Sequence, residues 1–371
     1  MSLGRFPTYA TEERLQASRA EGVELVPLHG TPAPALPAHV VEAVATVLRR
    51  PMKTPPARGL EPLREALSAE LERTAGRGVD PETELLVTNG AMQALGVCFR
   101  SLLEPGDEVI VPTPSFFFEG PIRAGGGIPV YVPGSLADGW RWSLVAIEQA
   151  ISVRTKAVLL CNPGNPTGSV PSRDDVAAVV RLAESHGLVV VTDEAYEASL
   201  WESSTLASAF GLGENVIVIR SLGKSLSLPQ LRLGLLAGPA KHVDACAQTL
   251  EWDCLRVGVA AQAAALAVLA GPRDWLEEIH AGMAADRAVA LAAVEATPGL
   301  ATVAPLAAPF LFLGADPHRE LGEELAAVGL PVVDGSHFHA YGYARLPFGG
   351  AQACLTELRE ALARWARQQT G

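Results

Sequence analysis

From Glu84 onward, short and almost wholly apolar runs alternate with stretches of helical periodicity. The runs are Leu85-Leu86-Val87, Glu108-Val109-Ile110-Val111, Ile128-Pro129-Val130-Tyr131-Val132, Ala157-Val158-Leu159-Leu160, Leu188-Val189-Val190-Val191, Val216-Ile217-Val218-Ile219 and Leu233-Gly234-Leu235-Leu236. A strand with no polar face must be covered on both sides, which a sheet achieves when helices cross over it between strands. The pattern therefore predicts an α/β fold: a large domain with a mostly parallel seven-stranded sheet, covered by helices on both faces. Upstream, residues 1–35 read as an arm with one short helix, followed by helices near 38–49 and 60–75. Downstream, an Ala-rich helical stretch over about 258–296 breaks at Gly271-Pro272. Short strands near 309–313, 331–333 and 343–346 then mix with helices near 318–328 and 351–368, the pattern of a smaller α+β domain. The expected division is an arm and small-domain segment over 1–50, a large domain over 51–290 and a C-terminal small domain over 291–371.

Composition narrows the partners. A net charge of −12 argues against nucleic acid and anionic membrane surfaces. There is no uncharged apolar run of about 18 residues, so no membrane span is expected. The beginning lacks an apolar signal core, and the five cysteines show no metal or redox spacing, so a cytoplasmic protein with reduced thiols is expected.

In open parallel sheets, ligands bind beyond the carboxyl ends of the strands. Several unusual segments fall there. Thr88-Asn89-Gly90-Ala91-Met92 opens a helix with small residues, leaving free N–H groups that suit a phosphate, although an ordinary strand-to-helix turn reads the same way. Phe116, in Pro114-Ser115-Phe116-Phe117-Phe118, can stack on a flat ring or simply pack in the core. Cys161-Asn162-Pro163-Gly164-Asn165-Pro166-Thr167-Gly168 is denser in turn residues than a turn requires, and Asn165 offers an amide to a phenolate oxygen. Asp193, in Thr192-Asp193-Glu194-Ala195-Tyr196, ends an apolar strand, either as a helix cap or as the partner of a protonated ring nitrogen. Lys224 stands in Ser221-Leu222-Gly223-Lys224-Ser225, with Arg232 eight residues on, in a chain with only four lysines. A lysine in this position can form an imine with an aldehyde cofactor, and the serine and arginine can hold its phosphate. Arg345 lies within an apolar run, Tyr343-Ala344-Arg345-Leu346-Pro347, where its planar fork can clamp a carboxylate.

In this order the segments resemble the class I/II aminotransferases, fold type I enzymes that use pyridoxal phosphate. The resemblance runs from about residue 25 to the end and is carried chiefly by Asn-Pro-Gly-Asn-Pro-Thr-Gly, Asp-Glu-Ala-Tyr and Ser-Leu-Gly-Lys. It implies that Lys224 holds the cofactor and that Asp193 faces the pyridine nitrogen. It implies that Asn165 and Tyr196 bond the ring oxygen, and that Ser221, Arg232 and the Gly90-Ala91-Met92 helix start form the phosphate cup. Phe116 would stack on the ring, Arg345 would grip the α-carboxylate, and Gly30 would border the substrate. It further implies a homodimer with shared active sites, acting on an L-amino acid and a 2-keto acid.

Two positions depart from the family pattern. Thr54 stands where members carry a tyrosine that reaches the neighbouring subunit's phosphate, and Gly30-Thr31-Pro32-Ala33, beside His29, replaces the usual Gly-x-Pro-Asp. Arg256 falls where the partner subunit contributes polar groups, and would replace the lost phosphate contact, bind an acidic substrate tail or form a structural ion pair. The alternative activity is other chemistry on the same cofactor, as in the branch of histidinol-phosphate aminotransferase and threonine-phosphate decarboxylase. With about 25 residues ahead of the fold and an acidic balance, a DNA-binding regulator is the disfavoured reading.

Overall fold

The computed structural model describes residues 5–49, 54–202, 204–316 and 318–369. Seven strands form the large sheet: β1 (Leu85–Thr88), β2 (Glu108–Thr113), β3 (Ile128–Pro133), β4 (Thr155–Cys161), β5 (Val189–Asp193), β6 (Val216–Arg220) and β7 (Gly234–Ala237). Their order is β1-β7-β6-β5-β4-β2-β3. Pairings among β2 to β6 are parallel, while β7 runs antiparallel to both β1 and β6. Every apolar run of the sequence is a strand of this sheet. Their starts shift for local reasons: Leu188 is still tied to Ala183 O of the preceding helix, and Leu233 O accepts from Gly223 N before β7 begins.

The helices are α1 (Pro7–Ala20), α2 (Ala38–Arg49), α3 (Glu61–Ala75), α4 (Gly90–Leu102), α5 (Glu119–Ala124), α6 (Leu144–Gln149), α7 (Arg173–Ser185), α8 (Leu222–Ser225), α9 (Ala240–Cys254), α10 (Val259–Ala270), α11 (Asp274–Glu295), α12 (Leu321–Ala327) and α13 (Leu355–Gln368). Their ends follow capping chemistry. Ser172 caps α7, its Oγ accepting from Asp175 N, with Asp174 and Asp175 in the first turn to favour the helix dipole. Gly76 closes α3 with φ 72°, a conformation glycine adopts without a Cβ clash. The predicted break separates α10 from α11 at Gly271-Pro272, because proline lacks the N–H that would continue the ladder.

Successive strand residues face different cores. Leu86, Val109, Val111, Val191, Ile219 and Leu236 pack with Leu95, Phe99 and Leu250 of α4 and α9. Leu85, Val87, Ile110, Val190, Val218 and Leu235 pack with Leu63, Leu67 and Leu71 of α3, Val179 of α7 and Val268 of α10. This alternation explains why the strands lack a polar face. A second sheet, ordered β8-β10-β9, contains β8 (Phe310–Gly314), β9 (Val333–Asp334) and β10 (Tyr343–Pro347). The predicted strand near 331–333 starts two residues later, since Pro331 offers no N–H. The small sheet shares a separate core with Val26, Leu28 and the inner face of α13, where Leu358, Ala361, Leu362 and Trp365 recur at helical spacing.

Candidate active site

The register of the large sheet brings the unusual segments together. Cys161 pairs with Asp193, and Asp193 with Ile219, so β4, β5 and β6 end level. Thr88 pairs with Gly234, which sets the β1–α4 turn beside the loop entering β7.

At that junction the chain forms an anion cradle. Gly90 opens α4 with φ 78°, and a Cβ there would sit 3.0 Å from Arg232 Nη2. Glycine thus provides both the left-handed turn and the space for the guanidinium. Arg232 is itself left-handed, with φ 49°, and its protein hydrogen bond is a long one to Pro229 O at 3.5 Å. Ala91 and Met92, in the first turn of α4, face the same space, so the turn's free N–H groups and the positive end of the helix dipole act there. Ser221, buried at the start of α8, uses its Oγ for no cap hydrogen bond. Cation, hydroxyl and helix start therefore converge without being consumed by one another.

Lys224 lies on α8, directly beyond β6. Its Nζ is 3.7 Å from the ring centroid of Tyr196 and 5.9 Å from that of Phe116. Asp193 is buried, and its Oδ1 accepts from Ala195 N at 3.0 Å, a turn contact that fixes the carboxylate. Burial raises the Asp193 pKa, opposed by the charge of Lys224 and the Ala195 N–H. An acid in this condition gains from a cationic partner brought against it. Phe116 packs at 4.7 Å from Phe117 and 6.2 Å from Phe6, and also borders the space.

Arg345, in the middle of β10, is 7% exposed. Its Nη1 donates to Asn165 Oδ1 at 2.9 Å, and the guanidinium lies 4.2 Å over the Phe310 ring. Its Nε is buried without a partner. Burial draws its pKa down to about 10, which still leaves a cation at neutral pH. An unsatisfied buried cation with a half-used fork is a receptor for a carboxylate.

The site residues anticipated from the sequence, Gly90 excepted, line one cavity of about 590 Å³: Gly30, Ala91, Met92, Phe116, Asn165, Asp193, Tyr196, Ser221, Lys224, Arg232 and Arg345. Gly90 sits behind Arg232. Thr54 is exposed and is not on this wall, and Arg256 Nη1 reaches Pro55 O at 3.4 Å within its own chain. Two contributors carry no signal in their own segments. Phe310 supports both Arg345 and the Tyr196 ring, and α1 supplies Thr8, Thr11, Glu12 and Leu15 to the wall. Beneath the floor, Glu194 and Arg220 form a buried ion pair at 2.9 Å, completed by Ser208 Oγ and Thr74 Oγ1.

An anion cradle, a buried acid, a lysine and a carboxylate receptor around one slot at the strand ends define a lysine-centred α/β enzyme. The donor set fits a flat phosphorylated pyridine aldehyde. No cluster of metal-ligating side chains and no helix long and apolar enough to cross a membrane occurs among the described residues. The chain belongs to the class I and II aminotransferases, whose family profile matches residues 30–362. It is 32% identical to the aspartate/prephenate aminotransferase of Thermus thermophilus over 97% of this chain and 95% of that one. It is 29% identical to the aspartate aminotransferase of Geobacillus stearothermophilus over 98% and 97% of the two chains. The structure of the Thermus thermophilus aspartate aminotransferase with maleate superposes with a TM-score of 0.91 at 32% identity, covering 98% of this chain and 97% of that one. The protein is an aminotransferase, as the sequence resemblance implied.

Proposed function

We propose that this aminotransferase works with pyridoxal phosphate held over Lys224, exchanging the amino group of an L-amino acid with a 2-keto acid. The observation that carries the assignment is one cavity presenting Lys224, the buried Asp193 and two cations on separate elements, Arg232 on the β7 approach and Arg345 on β10. The two cations suit the two anionic ends of such a pair, a phosphate and a substrate α-carboxylate.

When bound, the cofactor ring supplies an electron sink for the pair left on the substrate Cα. The protein residues do the rest. Ser221, Arg232 and the N–H groups of Gly90, Ala91 and Met92 would hold the phosphate. Asp193 would pair with the ring nitrogen and favour its protonated form. Asn165 and Tyr196 would donate to the ring oxygen, and Phe116 would cover the ring. Arg345 takes the α-carboxylate in its fork and, through Asn165, ties the substrate to the cofactor side. Gly30 gives the substrate room beside Phe310. Lys224 would take the Cα proton and, as its conjugate acid, give it to the cofactor's aldehyde-derived carbon on the other side of the nitrogen, acting as base and then acid.

In this reading residues 51–290 form the large cofactor-binding domain, with 1–50 as the arm and small-domain segment and 291–371 as the C-terminal small domain. Val41 and Leu48 of α2, with Trp252 and Leu255 at the end of α9, are strongly exposed apolar side chains that suit a homodimer interface. A cytoplasmic location is part of this reading, supported by the chain's net charge of −12 and its lack of an apolar signal core. The aspartate and prephenate in the relatives' names make acidic substrates the first to test.

The test is spectroscopic. Purified protein should carry a yellow chromophore that borohydride fixes to the peptide containing Lys224. Mixing with amino acids should convert it to the amine form. Trapping on another lysine in Lys224→Ala would refute the assignment.

A further inference from the structure

Arg345 is a buried cation surrounded by rings. Its guanidinium carbon lies 4.2 Å from the ring centroid of Phe310, 5.1 Å from that of Phe338 and 5.8 Å from that of Phe117. Each distance is within reach of the attraction between a cation and an aromatic face. The rings come from three separate segments. Phe310 opens β8, Phe338 ends the tight helical turn Gly335–Phe338, and Phe117 lies in the loop between β2 and α5. All three are buried.

The rings also hold one another. Phe338 stands 5.0 Å from Phe117, tilted by 33°, and meets Phe312 edge-on at 5.9 Å. Phe117 packs in turn on Phe116, 4.7 Å away, which borders the cofactor space. Phe310 meets Tyr196 at 85° and 5.8 Å. Rings fixed on several sides leave the cation between them little freedom to turn.

An aromatic face attracts a guanidinium without filling the edge from which its N–H groups point. An acid in the same place would occupy the fork that a substrate carboxylate needs. Of the Arg345 donors, Nη1 is given to Asn165 Oδ1. Burial strengthens the pull of each face, because no water screens it. A free fork on a fixed guanidinium binds a carboxylate with little ordering cost.

We propose that Phe117, Phe310 and Phe338 are positioning residues for the reaction: their faces hold the Arg345 guanidinium in place and leave its fork open to the α-carboxylate. The inference rests on the reading of Arg345 as the carboxylate receptor, and adds the groups that preorganise it.

A double-mutant cycle on the holoenzyme tests it. The half-reaction is followed with the amino acid that converts the parent cofactor fastest. Phe338→Leu and Phe117→Leu should each lower kcat/KM by about tenfold, chiefly through KM, as expected for loss of a desolvated cation–π contact. In an Arg345→Met background the same substitutions should cost less than about threefold. Calorimetric titration with propionate or hydrocinnamate, whichever the parent binds tighter, should show about tenfold weaker binding in both leucine variants. Losses as large in the Arg345→Met background as in the parent would overturn the proposal, because rings that act only as packing cost the same in both. Unchanged carboxylate binding in both leucine variants would overturn it too. Where Phe338→Leu does not fold, Phe117→Leu decides alone. If Arg345→Met itself reacts and binds carboxylates normally, the parent reading of Arg345 fails and takes this one with it.

Discussion

Replacing Arg345 by methionine should strengthen the fold while weakening the enzyme. The side chain is 7% exposed, forms no ion pair among the described residues, spends one hydrogen bond on Asn165 and leaves Nε buried without a partner among them. Its pKa falls from 12.5 to about 10, which corresponds to about 3 kcal/mol against the charged form. Methionine removes that penalty and fills similar volume. It also gives up the contact with Phe310 at 4.2 Å, worth about 1–2 kcal/mol, and leaves Asn165 Oδ1 short of a donor. The balance predicts a ligand-free protein about 0.5–1.5 kcal/mol more stable than the parent. Substrate binding should move the other way. Loss of a buried charged pair costs about 2–5 kcal/mol, or roughly thirtyfold to several thousandfold in kcat/KM. Denaturant unfolding of the cofactor-free protein gives the first quantity and half-reaction kinetics the second. Arg345→Lys should retain less than a tenth of the efficiency, because a point charge cannot form the fork. Clear destabilisation of Arg345→Met, or normal kinetics with amino acids, would refute the view of Arg345 as a strained receptor.

Asp193→Asn should keep the fold and lose roughly a thousandfold in turnover, since an ion pair worth about 4 kcal/mol at 4 Å is removed from the ring nitrogen; activity within a few-fold of wild type would reject the pairing. Arg220→Met should destabilise by about 3–5 kcal/mol in denaturant unfolding, because it strands the fully buried Glu194 carboxylate. Glu197 carries a sealed, unpartnered Oε2, and burial raises its pKa to about 7. The unfolded chain ionises this group near pH 4.5, so the folded state binds the extra proton between about pH 4.5 and 7, and stability falls as pH rises through that window. Glu197→Gln should remove up to about 3 kcal/mol of that fall, seen as a smaller drop in unfolding midpoint between pH 5 and pH 8.

The parts of this enzyme that were legible in the sequence are those whose causes are local. A strand buried on both faces has no choice but an apolar run, so Val189–Asp193 and Val216–Arg220 announce themselves, and Gly271-Pro272 must end a helix. The polar residues of the site stood out by their place against apolar strands: Asp193 ends one, Lys224 follows directly after one, and Arg345 sits inside one. What was hidden is set by contacts distant in sequence. The antiparallel insertion of β7 between β1 and β6 is such a case, and no run of four residues encodes it. Phe310 reads as one more core aromatic until β8 pairs with β10, which sets Phe310 opposite Pro347 and its ring diagonally against the Arg345 guanidinium. The arm is the strongest example. Thr11 and Glu12 belong to a weakly amphipathic helix with no motif, yet they line the same cavity as Lys224 and Arg345. The reacting groups are therefore residues that break a local rule. The walls around them are residues that break none, because a wall needs only shape and charge, and distant segments assemble it.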